Sequence, residues 1–294
     1  MTRFASVRQI SGRIRSVRNT ARVTRAMQMV AASKMRRAQE ATTASRPYAE
    51  KLREVLGGLV GVGAVDPDLS HPLLERRPVS NVLLLSISPD RGLAGGMPGN
   101  LSRASGEFLR AQMQQHPVAV ITVGKKVRDF MVRAGADLRA SFTDITDRPT
   151  MADTLAVTHL VQQMYTSGEV DEVHIAYTRY VNTLVQQPMV RQLLPIAAEG
   201  LEDESARATD YIYEPDAGTV LGALLPRFFE MQVYQAFLEN SASEQSARMV
   251  AMRNATEAAE DMIDSLTLEL NKARQNMITA ELLDLVGGAA ALEG

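Results

Sequence analysis

A glycine-rich run at residues 90–96, DRGLAGG, follows an apolar segment and has a composition suited to ligand chemistry. Glycine-rich turns after buried strands bind phosphates when their backbone N–H groups converge. This run matches neither the dinucleotide fingerprint nor the P-loop, because no Gly-Lys-Ser/Thr closes it. A second turn, Gly124-Lys125-Lys126, lacks the upstream glycine and the hydroxyl residue. We therefore interpret both runs as structural loops and keep a nucleotide-binding enzyme as an alternative.

Residues for other kinds of catalysis are sparse. The chain has four His without i, i+4 pairing and no Cys, which excludes a disulfide framework, a thiolate metal site and a cysteine nucleophile. No Ser-His-Asp or two-carboxylate arrangement can be assembled with any specificity. Asp144 with Asp147, and Asp203 in its acidic run, are interpreted as solvated loop positions. The sequence predicts no catalytic site, no metal and no cofactor.

Composition describes an ordinary globular chain of 294 residues, 45% hydrophobic, with a formal net charge of −2. Its strongest apolar run, 79–87, is too short to span a bilayer. The charge is unevenly distributed: ten Arg or Lys and no acidic residue precede Glu40, whereas ten Asp or Glu and four Arg or Lys follow from Glu239. Opposite charges at the two ends favour their pairing, mainly by orienting it.

The C-terminal region predicts one long helix over about 226–286, bounded by Pro226 and Gly287. Apolar residues recur there in steps of three and four, which is the seam of a left-handed coiled coil. The seam positions are Met249, Met252, Thr256, Ala259, Ile263, Leu266, Leu270, Ala273, Met277 and Ala280. Such a helix cannot bury its stripe alone, so a partner helix is expected.

The N-terminal region supplies that partner, a helix over about 3–56 with the same spacing. Its seam positions are Val7, Ile10, Ile14, Val17, Ala21, Thr24, Gln28, Ala31, Met35 and Ala38. We expect Pro47 to kink it and the glycines from Gly57 to Gly63 to end it. Two alternatives stay open, an organellar transit peptide and a basic surface for nucleic acid or anionic lipid. Against the second, the arginines are judged to be spread around much of the helix: Arg8, Arg13, Arg15, Arg18, Arg22 and Arg25.

The central region changes period after a linker at 65–78. Strands are predicted at 79–88, 118–123, 138–142, 172–178 and 183–195, and helices at 100–115, 125–133 and 151–167. This alternation predicts a Rossmann-like α/β domain with a mostly parallel sheet and one antiparallel strand, followed by an acidic loop at 198–210. The predicted domains are 1–64, 65–210 and 211–294, with the two terminal helices paired as an antiparallel coiled coil.

Four stretches resemble the gamma subunit family of F-type ATP synthases. They are RIRSVRNTARVTRAMQMVAASKMRR at 13–37, SPDRGLAGGMPGN at 88–100, SEQSARMVAMRNAT at 243–256 and NKARQNMITAELLDLVGGAAAL at 271–292. Ala94 stands where that family commonly has a Cys, and residues 97–99 extend the loop. The stretches occur in the family's order and cover both ends and the insert.

The resemblance implies a central-stalk rotor whose coiled coil stands inside a ring of three alpha and three beta subunits. It implies that the α/β domain meets the epsilon subunit and the membrane c-ring. Proton-driven rotation of the c-ring would then drive the conformational cycle of the catalytic beta subunits. The chemistry of ATP belongs in that family to beta, with contributions from alpha, so this chain is expected to be non-catalytic. The alternative retained is a coiled-coil hairpin that binds nucleic acid through its basic N-terminal helix.

The resemblance also implies contacts with beta for seven side chains: Arg25, Met27, Arg274, Gln275, Thr279, Glu281 and Asp284. The first two match a segment facing an acidic lever of beta, and Arg274 with Gln275 matches a pair at a catch loop. Asp284 departs from the usual Glu and is shorter. The absence of Cys excludes the regulatory dithiol of plant chloroplast forms, and the chain starts directly in the helix. We therefore expect a bacterial subunit held peripherally at the cytoplasmic face of the plasma membrane.

Overall fold

A computed structural model describes residues 7–63, 71–145, 148–197 and 213–292, with side chains in the two longest helices described as far as 59 and 288. The helices are α1 (Val7–Gly63), α2 (Met97–Gln112), α3 (Lys125–Arg133), α4 (Met151–Thr166) and α5 (Ala217–Leu292). The strands are β1 (Val82–Ile87), β2 (Val118–Val123), β3 (Asp137–Phe142), β4 (Glu172–Tyr180) and β5 (Gln186–Leu194). The predicted acidic loop 198–210, with Asp203, lies outside the described residues, as do Asp147 and the first part of the linker.

Two compact units divide the chain, one of Met1–Val30 with Met249–Gly294 and the other of Ala31–Arg248. We call them the hairpin unit and the sheet unit. The predicted domains 1–64, 65–210 and 211–294 follow the ends of the helices instead, and that division stays a prediction.

The sheet unit contains a five-stranded sheet in the order β3-β2-β1-β4-β5. Neighbouring strands are parallel from β3 to β4, and β5 runs antiparallel to β4. Every residue of β1 and β2 is buried, which explains their continuous apolar sequences. This doubly wound order confirms the predicted Rossmann-like insert with one antiparallel strand.

Helices cover both faces of this sheet. On one face α4 packs with parts of α1 and α5, through buried residues such as Leu56, Val161 and Phe229. On the other face α2 and α3 pack through Leu101, Leu109 and Val127. The amphipathic period of each helix therefore matches the sheet face that it covers.

Both long helices exceed their predicted bounds. α1 continues through Pro47 and through Gly57, Gly58 and Gly61 to Gly63. Three of the glycines expected to end α1 thus lie inside it, and the described helix ends at the fourth, Gly63. Burial of Leu56 and Leu59 offsets the cost of helical glycine, about 1 kcal/mol each. α5 starts at Ala217, before Pro226, since Leu221 and Leu225 are buried in the same core.

A polar stretch of α5 fastens the helix to the end of the β4–β5 hairpin. Ser243 Oγ donates to the carbonyl of Thr178 (2.9 Å), and Ser246 Oγ donates to the carbonyl of Thr183 (2.7 Å). Both serines are fully buried. Because buried hydroxyls are costly without partners, these bonds fix the position of α5 on this hairpin.

Candidate partner-binding surface

The hairpin unit is held by an apolar seam between α1 and α5. Buried Ile10, Ile14 and Leu266 form its centre, and Val17, Ile263, Leu270 and Ala273 pack against them half-buried. Val7 of α1 lies near Met277 of α5, and Thr24 of α1 contacts Thr256 of α5. Residue numbers therefore fall along α5 as they rise along α1, so the two helices run antiparallel. Every predicted seam residue of α5 from Met252 to Ala273 is buried or half-buried, which confirms the predicted coiled coil.

One polar pair interrupts the seam. The hydroxyls of Thr24 and Thr256 lie 2.7 Å apart and are buried. Thr256 Oγ1 also lies 2.8 Å from the Met252 carbonyl, and Thr24 Oγ1 lies 3.1 Å from the Ala21 carbonyl. Two hydroxyl protons are available for these three contacts, so only the two shortest can both be hydrogen bonds. Thr24 then donates to Thr256, and Thr256 donates to the Met252 carbonyl. The pair favours one register of the two helices, as buried polar pairs do in other coiled coils.

The last two predicted seam positions, Met277 and Ala280, are exposed, so the seam prediction was wrong there. α1 faces Met277 with Arg8, Ser11, Gly12 and Arg15, and an open cavity of about 710 Å³ remains between them. Val7 is the one large apolar side chain of α1 at this cavity, and Met277 keeps 47% of its surface in solvent. Beyond Ala273, the described residues of α1 therefore cover little of α5.

Large apolar side chains crowd this largely uncovered part of α5, which we call the α5 end (residues 277–286). Their exposed fractions range from 47% at Met277 to 70% at Leu285. The exposed residues are Met277, Ile278, Leu282, Leu283, Leu285 and Val286. At about 100° per residue they cover an arc of about 240° around the helix, and Asp284 lies in the remaining arc. A helix with so wide an apolar surface is normally buried, yet nothing among the described residues covers it.

The five sequence-predicted residues of α5 lie on or beside the α5 end, and all are exposed: Arg274, Gln275, Thr279, Glu281 and Asp284. They do not form one strip. By helical geometry Gln275 and Thr279 face away from the seam, whereas Asp284 continues its line. Thr279 Oγ1 donates to the Gln275 carbonyl (3.0 Å), so its hydroxyl is satisfied within the helix.

The two predicted residues of α1 differ from each other. Arg25 is exposed and pairs with Glu260 of α5, and both side chains keep at least half of their surface in solvent. Met27 is half-buried. The structure thus brings Arg25 to the seam flank, where its guanidinium orients the hairpin and stays accessible.

The α1 arginines form a strip, contrary to the expectation that they are spread around the helix. At about 100° per residue, five of the six arginines from Arg8 to Arg25 fall within an arc of roughly 100° beside the seam, and Arg13 lies outside it. The strip consists of Arg8, Arg15, Arg18, Arg22 and Arg25, all exposed. The order of the arginines along the chain does not show this arrangement, whereas a helical-wheel projection of the sequence does. The exposed strip presents positive charge to the solvent.

The glycine-rich loop of the sheet unit is engaged with the chain itself. Three backbone N–H groups at the start of α3 are taken by loop acceptors: Lys125 by Asp90 Oδ1 (3.0 Å), Lys126 by the Pro89 carbonyl (3.3 Å) and Val127 by Ser88 Oγ (3.0 Å). Asp90 Oδ2 also accepts from the Asp144 N–H (3.0 Å). The carboxylate of Asp90 therefore caps the N-terminus of α3, an end of a helix that favours negative charge.

The surroundings of this loop also disfavour a phosphate. The Lys125 ammonium lies 2.8 Å from Asp144 Oδ1 and holds the pKa of that carboxyl below its ordinary 3.8. Gly124 has φ +92°, and a Cβ there would lie 2.0 Å from the Ser88 carbonyl oxygen. The cavity beside the loop, about 350 Å³, is lined by three carboxylates, Asp90, Asp144 and Glu244, and by one guanidinium, Arg91, so its net charge is negative. The interpretation as a structural loop fits this geometry.

Two structural findings complete the description. Among the described residues, no group of three or more His, Asp or Glu side chains is arranged to hold a metal ion. Within the same residues, no helix has an apolar stretch of the length and hydropathy needed to cross a bilayer. The described residues contain two units, an antiparallel two-helix coiled coil with an exposed and largely apolar helix end and a doubly wound α/β domain, and this combination defines a class of protein.

Comparison with known proteins places the chain within that class. Residues 6–292 match the family model described as ATP synthase. The gamma chain of ATP synthase from Dehalococcoides mccartyi strain 195 is 52% identical over 289 residues, which cover 98% of this chain and 100% of the relative. That of Roseiflexus castenholzii is 50% identical over 291 residues, 98% of each chain. The chain belongs to the family of ATP synthase gamma chains.

Solved structures agree with this fold. A central-stalk and c-ring structure of Tetrahymena thermophila mitochondrial ATP synthase contains a chain that aligns with a TM-score of 0.59 at 26% identity, covering 79% of this chain and 99% of that one. A chain of the Euglena gracilis mitochondrial ATP synthase aligns with a TM-score of 0.65 at 20% identity, and the alignment covers 97% of this chain and 94% of that one. The second likeness supports the fold alone.

Proposed function

We propose that this chain is the central-stalk rotor subunit of an F-type ATP synthase. It couples proton-driven rotation of the c-ring to the conformational cycle of catalytic beta subunits, for ATP synthesis or hydrolysis. The observation that carries the proposal is the α5 end, which is apolar over most of its circumference and is uncovered by the described residues. Full burial of each large side chain contributes about 1.5–3 kcal/mol, so a surrounding apolar sleeve would stabilise this helix.

The proposed sleeve is the ring of three alpha and three beta subunits. Apolar contacts are non-directional, so a helix can turn against them without breaking a fixed set of hydrogen bonds. Polar side chains on different faces, such as Arg274 and Gln275, then meet different subunits as the helix turns. A contact shifts a conformational equilibrium only if it differs in free energy between the two states. The unequal faces of α5 supply such differences to three otherwise identical sites.

The seven predicted residues keep their assigned roles within this proposal. Arg25 and Met27 face the acidic lever of beta, and the α1 arginine strip adds complementary charge around them. Arg274 and Gln275 engage the catch loop of beta. Thr279, Glu281 and Asp284 border that contact, with Asp284 reaching less far than the usual Glu. The ATP chemistry lies on beta at its interfaces with alpha, so this subunit transmits force and is not itself catalytic.

The remaining partners are the epsilon subunit and the membrane c-ring, which meet the α/β domain. The subunit is held by these partners at the cytoplasmic face of a bacterial plasma membrane. The motif resemblance and the full-length likeness to gamma chains support this assembly.

Reconstitution with alpha and beta from the same source tests the proposal. The isolated chain should hydrolyse no ATP, and its addition should restore cooperative ATPase activity to the ring. No stimulation by a folded chain with competent partners would overturn the proposal. Duplex DNA binding that weakens steeply with salt, in place of stimulation, would favour the nucleic-acid alternative.

Single substitutions test the contact residues. Arg274→Ala and Gln275→Ala should lower coupled turnover and leave the melting temperature of the isolated chain unchanged, because both side chains are exposed. Arg253→Ala is the matched control, since Arg253 is also exposed on α5 but pairs with Glu257 (2.9 Å) within its own helix. Equal losses of turnover in Arg274→Ala and Arg253→Ala would remove the assignment.

A further inference from the structure

A basic groove runs between α2 and α3 on the outer face of the sheet unit. Its volume is about 580 Å³. Arg103 and Arg110 stand on the α2 wall, two turns apart, and Lys126 and Arg133 stand at the same spacing on the α3 wall. Glu107 is the one carboxylate among its lining residues. The groove thus carries a net charge of about +3, although the whole chain is acidic.

These four cations are exposed, and two of them, Lys126 and Arg133, add to the effect of Arg128 in lowering the pKa of the Asp129 carboxyl. Within the described part of the chain, no carboxylate lies within 4.0 Å of any of their nitrogens. The other basic residues of α3 differ, because Lys125 pairs with Asp144 and Arg128 with Asp129. Four like charges that converge on one groove repel one another, and an anion between them removes that repulsion.

The floor of the groove is formed by Gly106 and Phe130. A Cβ at Gly106 would lie 3.0 Å from the Phe130 ring, so only glycine lets the ring lie this close to α2. The half-buried ring presents an apolar surface between the two charged walls. The volume of the groove falls within the range that small ligands occupy.

We propose that this groove binds a compact phosphate-bearing anion. Guanidinium groups bind phosphate oxygens through paired N–H donors, and an ammonium adds a point charge. A compact polyphosphate concentrates several charges within the reach of both walls. An extended acidic peptide fits less well, because its carboxylates would have to pass Glu107. The inference goes beyond the rotor function and does not depend on it.

Equilibrium dialysis of the full chain against inorganic tripolyphosphate tests the site. We expect saturable binding that weakens as salt rises. The double variant Arg110→Gln/Arg133→Gln, which removes one charge from each wall, should bind at least about tenfold more weakly. The control Arg37→Gln/Arg53→Gln removes the same charge from exposed positions of α1 and should leave binding unchanged.

A third variant separates a site from general damage. Glu107→Gln removes the repelling carboxylate and should tighten binding by about two- to fivefold. Loss of folding cannot produce a gain, and thermal melts of all variants check their integrity.

Vesicle flotation distinguishes the source of the phosphate. Binding of tripolyphosphate with little affinity for phosphatidylglycerol vesicles assigns the groove to a soluble phosphate compound. Flotation with phosphatidylglycerol but not phosphatidylcholine vesicles, lost in Arg110→Gln/Arg133→Gln, assigns it to a lipid headgroup. The proposal is overturned if neither probe binds at low salt, or if the α1 control loses as much affinity as the groove variant. Tighter binding of a hexaglutamate peptide than of tripolyphosphate would overturn it as well.

Discussion

The seam of the hairpin unit makes a quantitative prediction through two leucines of α5. Leu266 is 6% exposed and packs against Ile10 and Ile14, whereas Leu268, two residues further on, is 72% exposed. Leu266→Ala deletes buried methyl groups and leaves a cavity, which costs 2–5 kcal/mol in well-packed cores. Because this seam joins only two helices, they can close partly on the cavity, so we expect about 2–3 kcal/mol. Leu268→Ala should cost less than about 0.5 kcal/mol.

Hydrogen exchange measured by mass spectrometry gives the local opening free energy of each helix. In Leu266→Ala, amides in peptides covering 8–18 and 260–272 should exchange roughly 30- to 150-fold faster, since each 1.4 kcal/mol is a factor of ten. Peptides from β1 and β2 should be unaffected. Similar acceleration in Leu268→Ala, or none in Leu266→Ala, would refute the register assigned to the seam.

Three further predictions follow from single contacts. In a double-mutant cycle, Thr24→Val and Thr256→Val should each lower the local opening free energy of the hairpin unit, measured by hydrogen exchange, by about 0.5–1.5 kcal/mol. The double variant should lose less than the sum of the two, because it leaves no buried hydroxyl without its partner on the other helix. Additive free energies would contradict the hydrogen bond. Gly124→Ala should abolish soluble expression, since its Cβ would lie 2.0 Å from the Ser88 carbonyl oxygen. Gly135 also has a positive φ but has open space around it, so Gly135→Ala should lower the free energy of unfolding, measured by thermal melting, by only about 1 kcal/mol. Asp153 accepts from the Thr150 N–H (2.8 Å), which lowers the pKa of the Asp153 carboxyl below 3.8. The capping interaction therefore stabilises α4 above that pH, and the stabilisation is lost as the pH falls through the lowered pKa. An acid titration followed by circular dichroism should show a loss of helix signal that the Asp153→Asn variant lacks.

Local periodicity was sufficient to predict much of the fold. Strand β2 at 118–123 and helix α3 at 125–133 lie where the sequence predicts them, because each is a short segment with one clear period bounded by turn residues. The coiled coil was predicted for the same reason. Helix ends were predicted less well, since burial of Leu56 and Leu59 outweighs the local preference of the glycines around them.

The surface depends on contacts that no local pattern encodes. Asp90 accepts from residues 35 and 54 positions away, so its role as the cap of α3 follows only from the folded sheet. Met277 satisfies the heptad spacing, yet it is exposed because α1 presents mostly Gly12 and polar residues opposite it, with Val7 as the one large apolar side chain. Spacing predicts which residues of one helix share a face, but the other helix decides whether that face is covered.

The hairpin unit combines two kinds of contact that suit opposite mechanical demands. Within the seam, Leu266 and the Thr24–Thr256 pair fix one register, so torque applied to one helix passes to the other without slippage. At the α5 end, the exposed side chains are mostly apolar, and the Thr279 hydroxyl is already satisfied by its own helix. This surface can therefore exchange neighbours at a low cost in broken hydrogen bonds. A helix with a fixed seam and an exchangeable outer surface can rotate as a rigid body inside a ring, which is the physical requirement that the proposed function makes.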